Sequence, residues 1–171
     1  MADVVTNAGP MMALAKLNLL HLLKDLYGKV QFTRSVYDEV VVQGMRQGFE
    51  DAHVLQQFLH QEGWEPTVVT SMPPVLASAH LDLGEQDSLA LAFALKGLLL
   101  MDEERGRDIA HQLGVMVRGT LGILIQAHRA NLISADQLRF HFSELERRTD
   151  IWISPALCRR LLPETLGTTP K

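Results

Sequence analysis

The chain has 171 residues, 47% of them hydrophobic and 21% charged, with a net charge of −4. This excludes a disordered chain, allows one domain with a real apolar core, and argues against a non-specific hold on nucleic acid, although a local basic patch stays compatible with it. A single cysteine, Cys158, excludes an internal disulfide. No apolar run reaches transmembrane length, and the N-terminus lacks the basic start and clean apolar centre of a signal peptide. The expectation is a soluble cytoplasmic protein with no membrane partner.

Val4-Val5 is a short β-branched run that stops at Asn7, and Gly9-Pro10 breaks it before a helical pattern begins. Met12, Leu14, Ala15, Leu19, Leu20, Leu22 and Leu23 recur at near-helical spacing, with a kink expected near Asn18 and an end at Gly28. Val30 and Phe32 alternate with polar residues as a second strand would. Residues 35–43 read as a helix, 49–61 as another ended by Gly63, and 64–69 as a weaker strand. Met72-Pro73-Pro74 marks a loop too short to link domains.

Asp82-Leu83-Gly84-Glu85 has the form of a capping box, and the helix it opens is apolar almost all round through Leu95, as a helix buried between other elements would be. Gly97 ends it. Leu98 to Met101 is an unbroken apolar run that stops abruptly at Asp102, as buried strands of a parallel sheet do. Helix over 105–113, strand over 115–117, and helices over 120–130 and 135–147 follow. Ile151-Trp152-Ile153 is a late strand or extended piece, and 155–162 a last short helix. The alternation predicts an α/β fold, a three-layer arrangement with a central parallel sheet of about five strands and helices on both faces. Residues 1–163 are expected to form one domain and 164–171 a flexible tail.

Ligands of such sheets gather just beyond the carboxyl ends of the strands. Asp102 ends its strand there, and Asn7 shares that edge if the two strands are parallel neighbours. Taken alone, Asp102 reads equally as the cap of the next helix. Glu39 borders the apolar face set by Val36 and Val40, where a carboxylate is unusual, although a solvated helix surface explains it too. Glu85 and Asp87 lie in one helical turn and project about 200° apart, so both cannot easily face one point. The economical assignment gives Glu85 the capping box and lets Asp87 face the site. The plain alternative is that both complement the helix dipole.

The ordered series Asn7, Glu39, Asp87 and Asp102 resembles the PIN-domain family, metal-dependent nucleases with a Rossmann-like sheet and clustered acids. The nearest likeness is to prokaryotic, VapC-like PIN proteins predicted to bind nucleic acid. The residues that carry it are Val5-Thr-Asn-Ala-Gly-Pro10, Val36-Tyr-Asp-Glu-Val40, Leu83-Gly-Glu-Gln-Asp87 with Leu89-Ala-Leu-Ala92, Leu100-Met-Asp-Glu103 with Arg105 and Arg107, and Gly119-Thr-Leu-Gly-Ile123. The likeness runs from about Val4 to the final helix near Leu162. Where the family usually opens with Asp, this chain has Asn7, followed by Ala8 and Gly9 rather than small hydroxyl residues. An amide oxygen can ligate a divalent ion but brings no charge, so the site should bind Mg²⁺ more weakly.

The resemblance implies a ribonuclease that cleaves phosphodiesters with Mg²⁺ or Mn²⁺. Its catalytic residues would be Glu39, Asp87 and Asp102, with Asn7 completing the metal site and Glu85 and Glu103 as secondary ligands. Hard oxygen donors suit such ions, and the ion would activate water and stabilise charge on the phosphate. Arg105, Arg107 and Thr120 would hold substrate, unless the arginines merely pair with Glu103, Glu104 and Asp108 and Thr120 only caps its helix. By the same resemblance the partners would be RNA, an antitoxin protein if the chain is the toxin of a toxin–antitoxin pair, and a second copy in a homodimer. The seven histidines form no short metal-ligand spacing, Cys158 reads as a core thiol, and neither a Gly-x-Ser-x-Gly elbow nor a phosphate loop occurs. Two other readings stay open. One is a catalytically weakened PIN-like module that binds nucleic acid or protein. The other is a receiver-like phosphotransfer domain, which lacks the lysine it would need near the last strand.

Overall fold

The computed structural model describes residues 2–167, which divide after Thr120 into two compact units. The first is built on a parallel sheet of β1 (Val4–Thr6), β2 (Leu98–Leu100) and β3 (Met116–Arg118), in the order β1-β2-β3. Leu99 and Leu100 are fully enclosed, and Met101 continues the buried run. This is why the segment carries no polar residue: both faces of the sheet are covered. Thr6, Leu100 and Arg118 stand in register across the three strands. Asn7, Met101-Asp102 and Gly119-Thr120 therefore leave the sheet side by side at its carboxyl edge.

The sheet has three strands among the described residues, not about five. The two missing strands are present as single parallel bridges, Val5 to Gln31 and Thr33 to Thr67. The amide of Thr6 donates to Gln31 O at 2.9 Å, and that of Thr67 to Phe32 O at 2.8 Å. Neither segment extends further because its neighbours are taken elsewhere. Thr33 turns directly into a helix by accepting the Val36 amide on its side chain, and the chain beyond Thr67 runs into Pro73-Pro74. Residues 151–153 form no strand.

Helices of the first unit are α1 (Ala8–Lys16), α2 (His21–Tyr27), α3 (Arg34–Tyr37), α4 (Gly44–Arg46), α5 (Glu50–Glu62), α6 (Pro74–Ala77), α7 (Leu83–Leu95) and α8 (Glu104–Gln112). The expected kink at Asn18 is a full break between α1 and α2, with Asn18 in the left-handed region at φ 58°. Asparagine tolerates that conformation better than most residues. Between α3 and α4 the helix continues as a π-helix over Asp38–Gln43, which carries Glu39. Such wide turns occur frequently at functional sites.

Helix α7 packs against β1, β2, α3, α6 and α8, which accounts for its apolar girth. It returns to the sheet through Lys96 in the left-handed region and Gly97. A Cβ on Gly97 would stand 2.5 Å from the Asp3 carbonyl oxygen, so only glycine lets the chain pass there.

The second unit holds α9 (Thr120–Arg129), whose first residue closes the first unit, α10 (Ala135–Arg147) and α11 (Pro155–Leu166). Helix α10 opens with a reciprocal Ser134–Gln137 capping box, buries Leu138, Phe142 and Leu145 at helical spacing, and packs against α11. Helix α11 does not stop at Leu162 but runs to Leu166, so residues 164–166 are helical rather than tail. Pro163 cannot donate a backbone bond, yet the turn is sustained by Thr165 Oγ1, which donates to Leu161 O at 2.8 Å, and Gly167 ends it. Residues 168–171 of the expected tail lie outside the described residues. Cys158 is buried as expected of a core thiol, and burial pushes it up to about 11.

Candidate active site

At the carboxyl edge of the sheet, Asp102 does not cap α8, the helix that follows it. The cap position belongs to Glu103, whose side chain makes no capping bond. Asp102 reaches instead to Thr120, accepting the backbone amide on Oδ1 at 2.7 Å and the hydroxyl on Oδ2 at 2.6 Å. Two glycines make room for it. A Cβ on Gly119 would lie 2.8 Å from Oδ1, and one on Gly9 would lie 3.5 Å from Oδ2. Burial raises the Asp102 pKa, while the two Thr120 bonds and the Arg107 guanidinium pull the other way. Arg107 also donates to the Met101 carbonyl at 3.0 Å, which holds it beside the strand end.

Asn7, the first residue past β1, is almost wholly buried, and its side chain does not cap α1. Its Oδ1 accepts from Ser88 Oγ at 3.3 Å. Ser88 is fully enclosed on α7 and was missed in the sequence. The usable signal was a hydroxyl placed directly before the Leu89–Leu95 run, where a buried polar group requires a partner.

Glu39 and Glu85 form a second acidic group. Glu85 completes the expected capping box, receiving the Asp82 amide at 3.1 Å, while Asp82 receives the Glu85 amide at 2.8 Å. Glu39 keeps an open side to solvent, but its carboxyl end rests against the first turn of α7: a Cβ on Gly84 would stand 3.1 Å from Oε2. Its pKa is raised first by the loss of water there, then by the charges of Asp82, Glu85 and Glu103. Glu85 is raised by desolvation as well, with Asp82 and Glu103 adding to the shift and the Asp82 amide and Arg105 opposing it. Glu103 thus ties this group to Asp102, its neighbour in the chain.

Asp87 stands apart from both groups. The sequence assignment had Glu85 capping and Asp87 facing the acids, whereas Glu85 both caps and meets Glu39. Asp87 accepts from Ser35 Oγ at 2.6 Å, and Ser35 in turn shares a 3.0 Å bond with Thr33. The reason is the helical projection itself: two residues past Glu85, the side chain leaves α7 toward the start of α3. Among the described residues, no three His, Cys, Asp or Glu side chains stand close enough together to hold a metal ion.

A sequence model of the PIN domain matches residues 3–166. The chain belongs to the PIN-domain family. No curated protein and no solved structure matches it. PIN domains are in general nucleases that bind nucleic acid and typically depend on a divalent metal. In this PIN domain Asn7, Glu39, Glu85, Asp102 and Glu103 offer carboxylate or amide oxygens, the hard ligands that Mg²⁺ or Mn²⁺ prefers. Glu39, Glu85 and Glu103 repel one another, and a cation would remove that repulsion. On donor chemistry the residues fit. Among the described residues, no helix of this PIN domain is long and apolar enough to cross a membrane.

Proposed function

We propose that this PIN domain is a divalent-metal-dependent ribonuclease that hydrolyses RNA phosphodiester bonds in the cytoplasm. One observation carries the reading: the Glu39 carboxyl rests against the first turn of α7, which carries Glu85, and the pKa values of both are raised first by burial and then by neighbouring carboxylates, Glu103 among them. Carboxylates with pKa values shifted in this way cluster at functional sites, where a cation or a proton transfer uses them. Mg²⁺ or Mn²⁺ would be held by Glu39, Glu85, Glu103 and Asp102, with Asn7 beside them, once these carboxylates draw closer than they stand without an ion; it would lower the pKa of a bound water and stabilise charge on the phosphate.

The chain's own residues supply the rest. Thr120 commits both its donors to Asp102 and so fixes the orientation of that carboxylate; it positions Asp102 rather than touching substrate. Ser88 does the same for Asn7. Arg105, whose charge acts on Glu85, would meet a substrate phosphate at the rim, and Arg107 steadies the strand end. Asp87 is left out of the donor set because its carboxylate is engaged at Ser35.

The test is Mn²⁺-dependent cleavage of a mixed RNA pool by the wild type, Asp102→Asn and Asn7→Asp. Wild-type cleavage that Asp102→Asn abolishes supports the reading. An inactive wild type with activity gained in Asn7→Asp instead makes the native chain a binding module. The neutral, Ser88-bound Asn7 and the fully bonded Asp102 favour that second reading. The finer version, a toxin restrained by an antitoxin protein and working as a homodimer, rests on the likeness to VapC-like proteins. It predicts growth arrest on expression, relieved by Asp102→Asn, and a dimeric mass in solution.

A further inference from the structure

Asp87 lines a cavity of about 270 Å³ together with Arg34, Val68, Thr70, Ser71 and Met72. This lies within the first unit, on the side of α7 that Glu85 does not face. The cavity falls just below the ~300–1,000 Å³ of clefts that take drug-sized ligands, a size that suits one heterocycle rather than a whole nucleotide. Of its two charged groups, Asp87 is held in place and Arg34 stands exposed at the mouth. Ser35 fixes Asp87 through Oδ2 and leaves Oδ1 as an acceptor. Asp38 meets Arg34 through Nε at 3.2 Å, and the guanidinium lies 5.5 Å from the centre of the Tyr37 ring. The terminal nitrogens of Arg34 stay available as donors. Val68 is strongly exposed and, with Met72, offers an apolar wall to a ring face.

Resting on the nuclease reading, we propose that this cavity takes one unpaired guanine of the RNA chain next to the cleavage site. Unstacked bases of single-stranded RNA are read on their hydrogen-bonding edges and stack on arginine planes. Guanine alone among the four bases sets an amino and an imino donor side by side, a pattern Asp87 accepts on Oδ1 and on the lone pair of Oδ2 that Ser35 leaves open, while its O6 and N7 suit arginine. Asp87 reads the donor edge, Arg34 reads the acceptor edge, and the Thr70 and Ser71 hydroxyls adjust to the remaining polar atoms. Because Asp87 lies two residues beyond Glu85 on one rigid helix, the base pocket and the acidic site are held by the same element.

The experiment uses the full chain without divalent ions, so that binding is read apart from cleavage. Fluorescence anisotropy compares uridine octamers carrying a single central G, A, C, U or inosine. The G octamer should bind roughly tenfold tighter than the others, a typical discrimination for a bidentate base contact. Inosine, which lacks the 2-amino group, should lose most of that advantage. Asp87→Asn should erase the G preference, so that the variant binds the G octamer no tighter than the all-U octamer, and Arg34→Met should weaken the preference in the same direction. Equal binding of all octamers, no binding, or a preference that survives Asp87→Asn overturns the pocket. The nuclease reading is scored separately, by cleavage in the Asp102→Asn comparison, so either can fail while the other stands. A wild-type-like melting curve for Asp87→Asn confirms that the variant is folded.

Discussion

The two acidic groups at the sheet edge are built on opposite principles. Asp102 sits in a niche of backbone: Gly9 and Gly119 withhold their side chains, and Thr120 occupies both carboxylate oxygens. Glu39 and Glu85 sit on helix surfaces at the rim, partly open, and repel each other and Glu103. The niche is satisfied without a ligand, whereas the rim is strained by charge and gains from one. A site of this kind has a rigid anchor and an adaptable clamp, and losses at the two should look different.

The sharpest way to break that comparison is at the anchor. Asp102→Asn should lower RNA cleavage by ~10²-fold or more, since changes around metal ligands alone commonly cost 10–100-fold. Were Glu39→Gln to cost more than Asp102→Asn, the roles of anchor and clamp would be reversed. Saturating Mn²⁺ separates them next. An ion at a hundred times its dissociation constant stabilises the fold by about 2.7 kcal/mol. The resulting rise in Tm, followed by calorimetry, should disappear in the Glu39→Gln, Glu85→Gln double variant.

Thr120→Val should cost about 1–2 kcal/mol in urea unfolding, because it removes one buried hydrogen bond while the amide bond to Asp102 survives. An unchanged unfolding midpoint would show that the hydroxyl contributes nothing to the niche. The smallest effect is the pH dependence of the rim. Glu39 and Glu85 have folded pKa values raised above the ordinary 4.5, so the folded state binds their protons more tightly than the unfolded chain. Their contribution to stability is full below that value and declines as pH rises through the raised one. Without metal, urea midpoints should therefore fall across this window, and the Glu39→Gln, Glu85→Gln double variant should flatten the slope.

Local chemistry was legible in the chain. The Asp82–Glu85 capping box, the α10 boundaries, the end of α5 at Gly63 and the buried Leu98–Met101 strand all depend on neighbours within a few residues, which the sequence displays directly. That Asp102 and Asn7 share one edge followed from parallel pairing, and the register of Thr6, Leu100 and Arg118 places both there. What lay beyond reach was decided by groups distant in sequence. The structure alone shows Asp102 bonded to Thr120 eighteen residues on, Asn7 paired with Ser88 across 81 residues, and Asp87 drawn to Ser35 across 52.

The π-turn carrying Glu39 and the shrinkage of two strands to single bridges belong to the same class. Helical and strand periodicity say which residues can lie on a face. Which of them meets a partner depends on how the faces pack, and a step of two helical positions, about 200°, sends the carboxylates of Glu85 and Asp87 to different sites. So the sequence by itself determined the α/β frame and the inventory of acids. Only the tertiary structure decided that Glu85 rather than Asp87 stands with Glu39, and that Asp102 is held rather than free.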